Sequence, residues 1–297
     1  MAFHVIVPGA LSTVQDLGRF GYQKSGMPCS GVMDQKAYES ANQLVNNQKN
    51  EAVIEHTVFG GSYRFQSDTV IALTGADMKP SIDGKACPMY RPVFVPSGGI
   101  LSLGAAVNGC RTYLAAAGGI LVPPVLGSRS TNLKCKIGGF QGRALQSGDL
   151  LDTGTLSVPF QQIKDLSLKA PVYSKEIKVR VIEGPQSDYF TEKGLNLFYS
   201  APYTVSEQSD RMGCRLEGPA VESIHGTDIV SDGIVFGSIQ ITSSGMPIVL
   251  MADRQTTGGY AKIATVITDD LPLLAQAVPG TTIHFQKMEG YSWITQQ

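Results

Sequence analysis

The chain has 297 residues, of which 42% are hydrophobic and 16% charged, and its formal net charge at pH 7 is −1. This balance argues against nucleic acid or an anionic membrane as a partner, because both are bound through an excess of basic side chains. The 33 glycines and 16 prolines supply many turns, which favours short strands over long helices.

The cysteines and the N-terminus bear on the compartment. The five cysteines are odd in number and widely spaced, and the four histidines are scattered, so neither a disulfide framework nor a zinc site is predicted. The N-terminus has no basic and apolar leader, and no apolar run reaches the length of a membrane span. We therefore expect a cytoplasmic protein.

The first half of the sequence predicts a β domain with one helix. A strand over residues 5–7 precedes a polar loop at 13–22, and a helix begins at Asp34 and ends near Asn46. Short strands then recur about every ten residues, which is typical of a barrel or sandwich. These strands are predicted at 52–55, 62–65, 69–73, 92–95, 100–103 and 111–116.

A polar stretch without periodicity, residues 161–175, separates this half from the next. Because domains average about 150 residues, we predict two domains, at 1–165 and 172–297. The second domain is expected to begin with a strand at 177–182 and end with one at 281–285. Two short helices are predicted between these strands, at 188–197 and at 271–277, the latter capped by Asp270.

The most unusual stretch is residues 253–262, which read D-R-Q-T-T-G-G-Y-A-K. It lies between two apolar runs, 247–251 and 263–267, that have the length of buried strands. Burying polar groups without partners costs about 1–3 kcal/mol each. The stretch is therefore either a solvated hairpin tip or one wall of a ligand site. Its two adjacent glycines, Gly258 and Gly259, permit positive φ angles and close backbone approach.

Seven motifs in order give the chain a resemblance to a known family. They are T-V-Q-D-L-G-R (13–19), S-G-V-M-D (30–34), G-S-R-S-T (127–131), G-G-F-Q-G-R (138–143), S-D-R-M-G-C-R-L (209–216), G-S-I-Q (237–240) and Q-T-T-G-G-Y (255–260). Together they resemble the KipA family, which also comprises the C subunits of 5-oxoprolinases and is known as the allophanate hydrolase subunit 2 or biotin-dependent carboxyltransferase family. The resemblance runs from about Ile6 to Phe285.

The resemblance implies a mainly β fold with two cyclophilin-like β-barrel domains and a few short helices. It also implies partners, a KipI-like B subunit and a LamB/YcsF-like A subunit. The leading function is that of the C subunit of an ATP-dependent 5-oxoprolinase, which opens 5-oxo-L-proline to L-glutamate. The alternatives are a regulator that antagonises a KipI-like kinase inhibitor, and a carboxyltransferase that acts with biotin and urea.

The cofactors implied are ATP with Mg²⁺, shared with a partner protein, and biotin only for the carboxyltransferase alternative. The sequence contains no biotin-attachment motif of the A-M-K-M type and no biotin carboxylase region. Any biotin is therefore expected on another chain. No phosphate-binding loop of the G-x-x-x-x-G-K-[ST] type is present, and no metal-ligand cluster is predicted.

Opening a lactam at neutral pH needs cations or N–H donors at the carbonyl and phosphoryl oxygens, and a base that directs water. Arg211 and Arg215 would point the same way if their segment is helical, and both are predicted to hold anionic oxygens. Asp253 is the candidate base or metal-water ligand. Lys262 would supply a further cation. Loss of Asp253 or Arg211 is expected to abolish turnover without unfolding the protein.

The remaining candidates are predicted to contact substrate, and the sequence leaves structural alternatives open. The predicted substrate ligands of the second domain are Gln240, Gln255, Thr257, Gly258 and Tyr260, and those of the first are Gln15, Asp16 and Arg19. As alternatives, Arg211 and Arg215 pair with Asp210 and Glu217, Asp253 caps a turn and holds Arg254, and the Gln15 loop supports a contact between domains or between subunits.

Overall fold

A computed structural model describes residues 1–288, and the chain divides into two compact units. Unit 1 contains Met1–Phe20 and Ser30–Tyr173, and unit 2 contains Gly21–Cys29 and the chain from Ser174 onward. The short segment Gly21–Cys29 thus belongs with the second half of the sequence, although it lies in the first. Among residues 1–288 no helix is both long and apolar enough to cross a bilayer.

Unit 1 consists of two antiparallel sheets and two helices. Its helices are α1 (Gln35–Leu44) and α2 (Phe160–Ile163). Its strands are β1 (Ala2–Val7), β2 (Leu11–Gln15), β3 (Val53–Thr57), β4 (Ser62–Phe65), β5 (Thr69–Asp77), β6 (Ser81–Ile82), β7 (Lys85–Ala86), β8 (Pro92–Val95), β9 (Ile100–Ser102), β10 (Asn108–Ala116), β11 (Ile120–Leu121) and β12 (Leu150–Thr153). One sheet has the order β11-β12-β1-β4-β9-β6-β7, and the other has the order β2-β3-β10-β5-β8.

The five-stranded sheet is covered on both faces. Leu73 and Leu114, which pair across β5 and β10, pack into a core shared with Phe3 and Leu101 of the seven-stranded sheet. The next residue along β10, Tyr113, belongs to a second core that contains the buried face of α1. This alternation follows from the two-residue period of a strand, and it explains why β5 and β10 are apolar almost throughout.

Helix α1 forms as its sequence predicts. The Asp34 side chain accepts a hydrogen bond from the backbone N–H of Ala37 at 2.9 Å, which caps the first turn. Tyr38 and Ala41 are buried at helical spacing, and the Asn42 amide donates to the backbone oxygen of Glu51 at 3.0 Å. Asn42 is therefore a satisfied buried amide.

Unit 2 is built around a closed seven-stranded barrel with the order β13-β20-β17-β18-β15-β14-β21. Strands β13 and β21 close it in parallel, and β16 and β19 form a separate two-stranded ribbon. The helices are α3 (Glu192–Ser200) and α4 (Leu271–Gln276). The strands are β13 (Glu176–Glu183), β14 (Tyr203–Val205), β15 (Gly213–Glu217), β16 (Asp228–Gly233), β17 (Ser238–Ile241), β18 (Pro247–Leu250), β19 (Thr257–Tyr260), β20 (Lys262–Val266) and β21 (Thr282–Lys287).

The prediction of a mainly β chain with a few short helices is confirmed. Two details differ. Helix α3 begins at Glu192, after a 3₁₀ turn at Ser187–Tyr189, because Thr191 accepts a hydrogen bond from the N–H of Gly194 and caps the helix there. Asp270 makes no cap hydrogen bond to α4, because its carboxylate binds Arg180 on β13 instead.

Candidate functional site

The centre of the candidate site is a buried ion pair between Arg211 and Asp253. The Asp253 carboxylate accepts from Nε of Arg211 at 2.8 Å and from a terminal guanidinium nitrogen at 3.1 Å. The two side chains are only 5% and 8% exposed. A two-point contact of this kind holds both groups in one plane and one orientation.

Strand pairing explains why these two residues meet although 42 positions separate them. Arg211 lies just before β15 and Asp253 just after β18, and the two strands are antiparallel neighbours. The pairing continues past the strand ends, since the backbone N–H of Asp253 donates to the Arg211 carbonyl at 2.8 Å. The barrel register therefore places the side chains together.

A second buried cation, Lys262, lies at the start of β20 and is 4% exposed. Its ammonium donates to the carboxylate of Asp232 at 2.5 Å and to the carbonyl of Gly233 at 3.0 Å. Asp232 itself is half exposed, with 53% of its side chain accessible. The hydrogen bond from Lys262 lowers the pKa of the Asp232 carboxyl.

Gln240 connects the barrel with the ribbon. It is buried on β17, and its amide donates to the backbone carbonyl of Tyr260 at 3.0 Å, where β19 ends. Gly258 lies against it, because a Cβ at this position would come within 2.6 Å of the Gln240 amide nitrogen and 2.5 Å of Ile234 Cδ1. Gly258 is therefore required for close approach.

Residues 253–262 are neither a simple hairpin tip nor a continuous loop. Thr257 to Tyr260 form strand β19, which pairs with β16 in the ribbon. Gln255 and Thr257 are exposed, whereas Asp253 and Lys262 are buried. Gly258 and Gly259 permit positive φ angles but do not adopt them, because both lie in the extended strand.

Arg215 does not lie beside Arg211. The expectation that the two point the same way required a helix, and the segment is instead strand β15, on which Arg215 is exposed. Arg211 binds Asp253, and the alternative pairings with Asp210 and Glu217 stay predictions. Asp210 accepts the N–H groups of Met212 and Gly213, and Glu217 accepts the Ser206 hydroxyl.

Gln15, Asp16 and Arg19 are buried in unit 1, where they hold the loop at residues 125–131. The Asp16 carboxylate accepts hydrogen bonds from the hydroxyls of Ser128 and Ser130 at 2.6 and 2.5 Å and from the N–H of Arg129 at 2.6 Å. Gln15 donates to the carbonyl of Thr131 at 3.1 Å, and Arg19 donates to the carbonyl of Ser130. These contacts give all three a structural function, and substrate binding by them stays a prediction.

Two residues of the site were missed from the sequence. Asp232 binds Lys262, and Gln186 joins them, because its amide oxygen accepts the backbone N–H of Lys262 at 3.2 Å. The G-P-Q and S-D-G stretches that contain them were visible as polar strand ends. Nothing local in either stretch shows that it lies beside residue 262.

Comparison with known proteins identifies the family. The family model described as "Carboxyltransferase domain, subdomain A and B" matches residues 25–287. The chain is also 39% identical over 284 residues to the C subunit of 5-oxoprolinase from Escherichia coli, a match that covers 95% of this chain and 89% of that protein. The chain belongs to this carboxyltransferase domain family. The resemblance seen in the seven motifs is thereby confirmed.

Members of the carboxyltransferase domain family also occur as parts of longer proteins. The chain is 33% identical to urea amidolyase of Saccharomyces cerevisiae over 96% of its own length, but it spans only 16% of that protein. The crystal structure of the Kluyveromyces lactis urea carboxylase superposes with a TM-score of 0.88 at 33% identity. That match covers 97% of this chain and 27% of the longer one.

The two ion pairs Arg211–Asp253 and Lys262–Asp232, together with Gln240, are called the cluster below, and their charges determine which cofactor they fit. Arg211 and Lys262 are the buried cations, and each is matched by a carboxylate, Asp253 and Asp232. Among residues 1–288 no three His, Cys, Asp or Glu side chains are grouped to hold a metal ion. Because a triphosphate with Mg²⁺ needs surplus cations and carboxylate ligands, these residues do not fit ATP by themselves.

Proposed function

We propose that this chain is the C subunit of an ATP-dependent 5-oxoprolinase that opens 5-oxo-L-proline to L-glutamate together with its A and B subunits. The observation that carries the proposal is the 39% identity to the 5-oxoprolinase C subunit of Escherichia coli over nearly the full length of both chains. The proposal places the protein in the cytoplasm, where ATP is available.

The nucleotide is proposed to be held mainly by a partner protein. Activating a lactam carbonyl with ATP requires cations that neutralise the phosphoryl oxygens, and the buried cations of this cluster are already neutralised. The partners proposed are a KipI-like B subunit and a LamB/YcsF-like A subunit. Neither unit of this chain then needs a phosphate loop of its own.

Lys262 is the residue of the cluster best placed to bind the anionic substrate. Its ammonium is buried, but its carboxylate partner Asp232 is half exposed. A substrate carboxylate can therefore reach this cation by displacing a solvated side chain, and the site exchanges one ion pair for another. Gln240, held by Tyr260, is proposed to orient the lactam ring nearby.

Arg211 and Asp253 are proposed to act mainly as positioning residues. Because the carboxylate accepts from two guanidinium nitrogens, the pair fixes the chain segment that leads from β18 into residues 253–260. The sequence-based hypotheses, in which Asp253 is a base and Arg211 and Arg215 bind anions directly, stay predictions. The exposed Arg215 is free of the barrel interior and is better suited to a partner surface.

The test is reconstitution with the cognate A and B subunits. The complete set is expected to release glutamate and phosphate from 5-oxoproline and ATP, and omission of this chain is expected to abolish both. A Lys262→Met variant should raise the KM for 5-oxoproline more than it lowers kcat. Glutamate formation at an unchanged rate without this chain would refute the proposal.

A second candidate is carboxyl transfer from a biotin carried on another chain to urea. It is favoured by the 33% identity to a urea amidolyase over 96% of this chain. This reaction predicts urea-dependent consumption of carboxybiotin by the chain with its partner. Such consumption in the absence of 5-oxoproline turnover would favour this candidate over the first.

A further inference from the structure

Unit 1 contains a cavity of about 590 Å³ whose lining belongs entirely to that unit. It lies where the end of β5, the β6–β7 hairpin and the segment at residues 170–173 come together. A volume of this size is within the range of small-molecule sites, which are typically about 300–1,000 Å³. None of its lining residues belongs to the cluster around Arg211.

Two tyrosines are among the polar residues that line the cavity. Tyr90 is 5% exposed, and its hydroxyl accepts the backbone N–H of Gly75 at 2.8 Å. The Tyr173 hydroxyl lies near that of Tyr90, but it is buried and makes no hydrogen bond of normal geometry among residues 1–288. Burying a hydroxyl without a hydrogen-bond partner is unfavourable, and a ligand atom that accepts its proton removes this penalty.

The charge state of these phenols defines the ligand atom that they can bind. Burial raises the pKa of Tyr90 and, more strongly, that of Tyr173. Both hydroxyls therefore keep their protons at physiological pH. The Tyr90 O–H donates to the carbonyl of Gly75 at 3.5 Å, so the donor left for a ligand is that of Tyr173. The matching ligand atom is a hydrogen-bond acceptor such as a carbonyl oxygen.

The charge at the mouth of the cavity and the polarity of its walls restrict the charge and shape of the ligand. At the mouth the Lys79 ammonium lies 3.0 Å from the Asp77 carboxylate, so the pair contributes no net charge. The walls include Pro80, Met89 and Pro171, which offer flat or adaptable apolar surface. A neutral mouth and apolar walls suit an uncharged ring.

We propose that this cavity is a binding site for a small uncharged ring compound, which places a carbonyl oxygen against the hydroxyl of Tyr173. The site is independent of the proposed 5-oxoprolinase function, because none of its lining residues is a candidate residue for that function. It would be a second small-molecule site of this chain, separate from the cluster around Arg211 and Lys262.

The experiment uses benzamide as the probe, with the full chain labelled at its methionine methyl groups. Titration by NMR is expected to shift the Met89 methyl signal saturably. Tyr173→Phe should weaken binding about 3- to 10-fold, the loss expected for one neutral hydrogen bond. Tyr189→Phe, which removes the hydroxyl of an exposed tyrosine in unit 2, is the matched control and should change nothing.

Two further measurements keep the test decisive. Ala86 lines the cavity and is exposed on the edge hairpin, so Ala86→Trp should fill the cavity and abolish the Met89 shift without disturbing the core. Benzoate, which has the same ring but a negative charge, should bind more weakly than benzamide. The proposal is overturned if Met89 shows no saturable shift, if both variants bind benzamide as the wild type does, or if benzoate binds as well.

Discussion

Replacing Asp253 by asparagine should destabilise unit 2 strongly. The substitution keeps the shape of the side chain but removes the charge that balances Arg211, which is 5% exposed. Breaking a buried ion pair by removing one partner typically costs about 3–5 kcal/mol, because the remaining charge stays buried. This prediction differs from the sequence-based expectation that turnover is lost while the fold remains intact, and an unfolding measurement decides between them.

A double-mutant cycle separates the interaction energy of the Arg211–Asp253 pair from the other effects of each substitution on stability. Arg211→Met should cost a similar amount, since it leaves the Asp253 carboxylate buried without the guanidinium. The double variant, Arg211→Met with Asp253→Leu, removes both charges and should lose less than the sum of the two single variants. We expect a coupling energy of about 2–3 kcal/mol, as is found for residues in direct contact.

Urea unfolding followed by circular dichroism measures these changes, with separate transitions allowed for the two units. Arg215→Met is the matched control, because this arginine is exposed, and it should shift stability by less than about 0.5 kcal/mol. The reasoning is refuted if Asp253→Asn is as stable as the wild type, or if the two single-variant losses simply add.

Three further predictions follow from other parts of the structure. Gly258→Ala should displace Gln240 from its hydrogen bond, which lowers the free energy of unfolding by about 0.5–1.5 kcal/mol and raises the KM of the reconstituted enzyme. Gly259→Ala is the control, because its Cβ would meet nothing closer than 3.7 Å. Equal effects of the two substitutions would contradict this geometry. Burial lowers the pKa of His56 to about 3, so the unfolded chain binds more protons between pH 6.5 and 3, and stability should fall on acidification by up to about 1.4 kcal/mol per pH unit. Urea unfolding at several pH values should show this fall in the wild type but not in His56→Gln. Stability profiles that run parallel in the two proteins would contradict the assignment of the fall to His56. The Asp232 carboxyl has a lowered pKa, so its stabilisation is present above about pH 3.9 and is lost as the pH falls below that value. In thermal melts Asp232→Asn should lack this acid-dependent loss of stability. If the melting temperature of the variant falls with pH as that of the wild type does, the prediction is wrong.

Local structure was predictable where neighbouring residues determine it. Helix α1 combines a cap at Asp34 with a buried stripe at Tyr38 and Ala41, and all of this information lies within about ten residues. The short strands separated by glycine turns were predictable for the same reason. Their order in the barrel was not, because pairings such as β13 with β21 join strands about one hundred positions apart.

The candidate site shows the same limit. Arg211, Asp253, Gln240 and Lys262 were identified as notable polar residues, but their partners depend on strand register. The i, i+4 spacing of Arg211 and Arg215 suggested a shared direction only because a helix was assumed. In extended chain four residues span about 13 Å, so the same spacing does not bring Arg211, which lies before β15, and the exposed Arg215 to one site.

The most direct measurement places both candidate substrates in one reaction. The chain is combined with the cognate A and B subunits, ATP, carboxybiotin, ¹³C-labelled 5-oxoproline and ¹³C-labelled urea, and the products are followed by NMR. We predict that labelled glutamate forms with ATP consumption, only when this chain is present, while the urea signal stays unchanged. Carboxylation of urea without labelled glutamate, or glutamate formation that does not need this chain, would contradict its assignment as the C subunit of a 5-oxoprolinase.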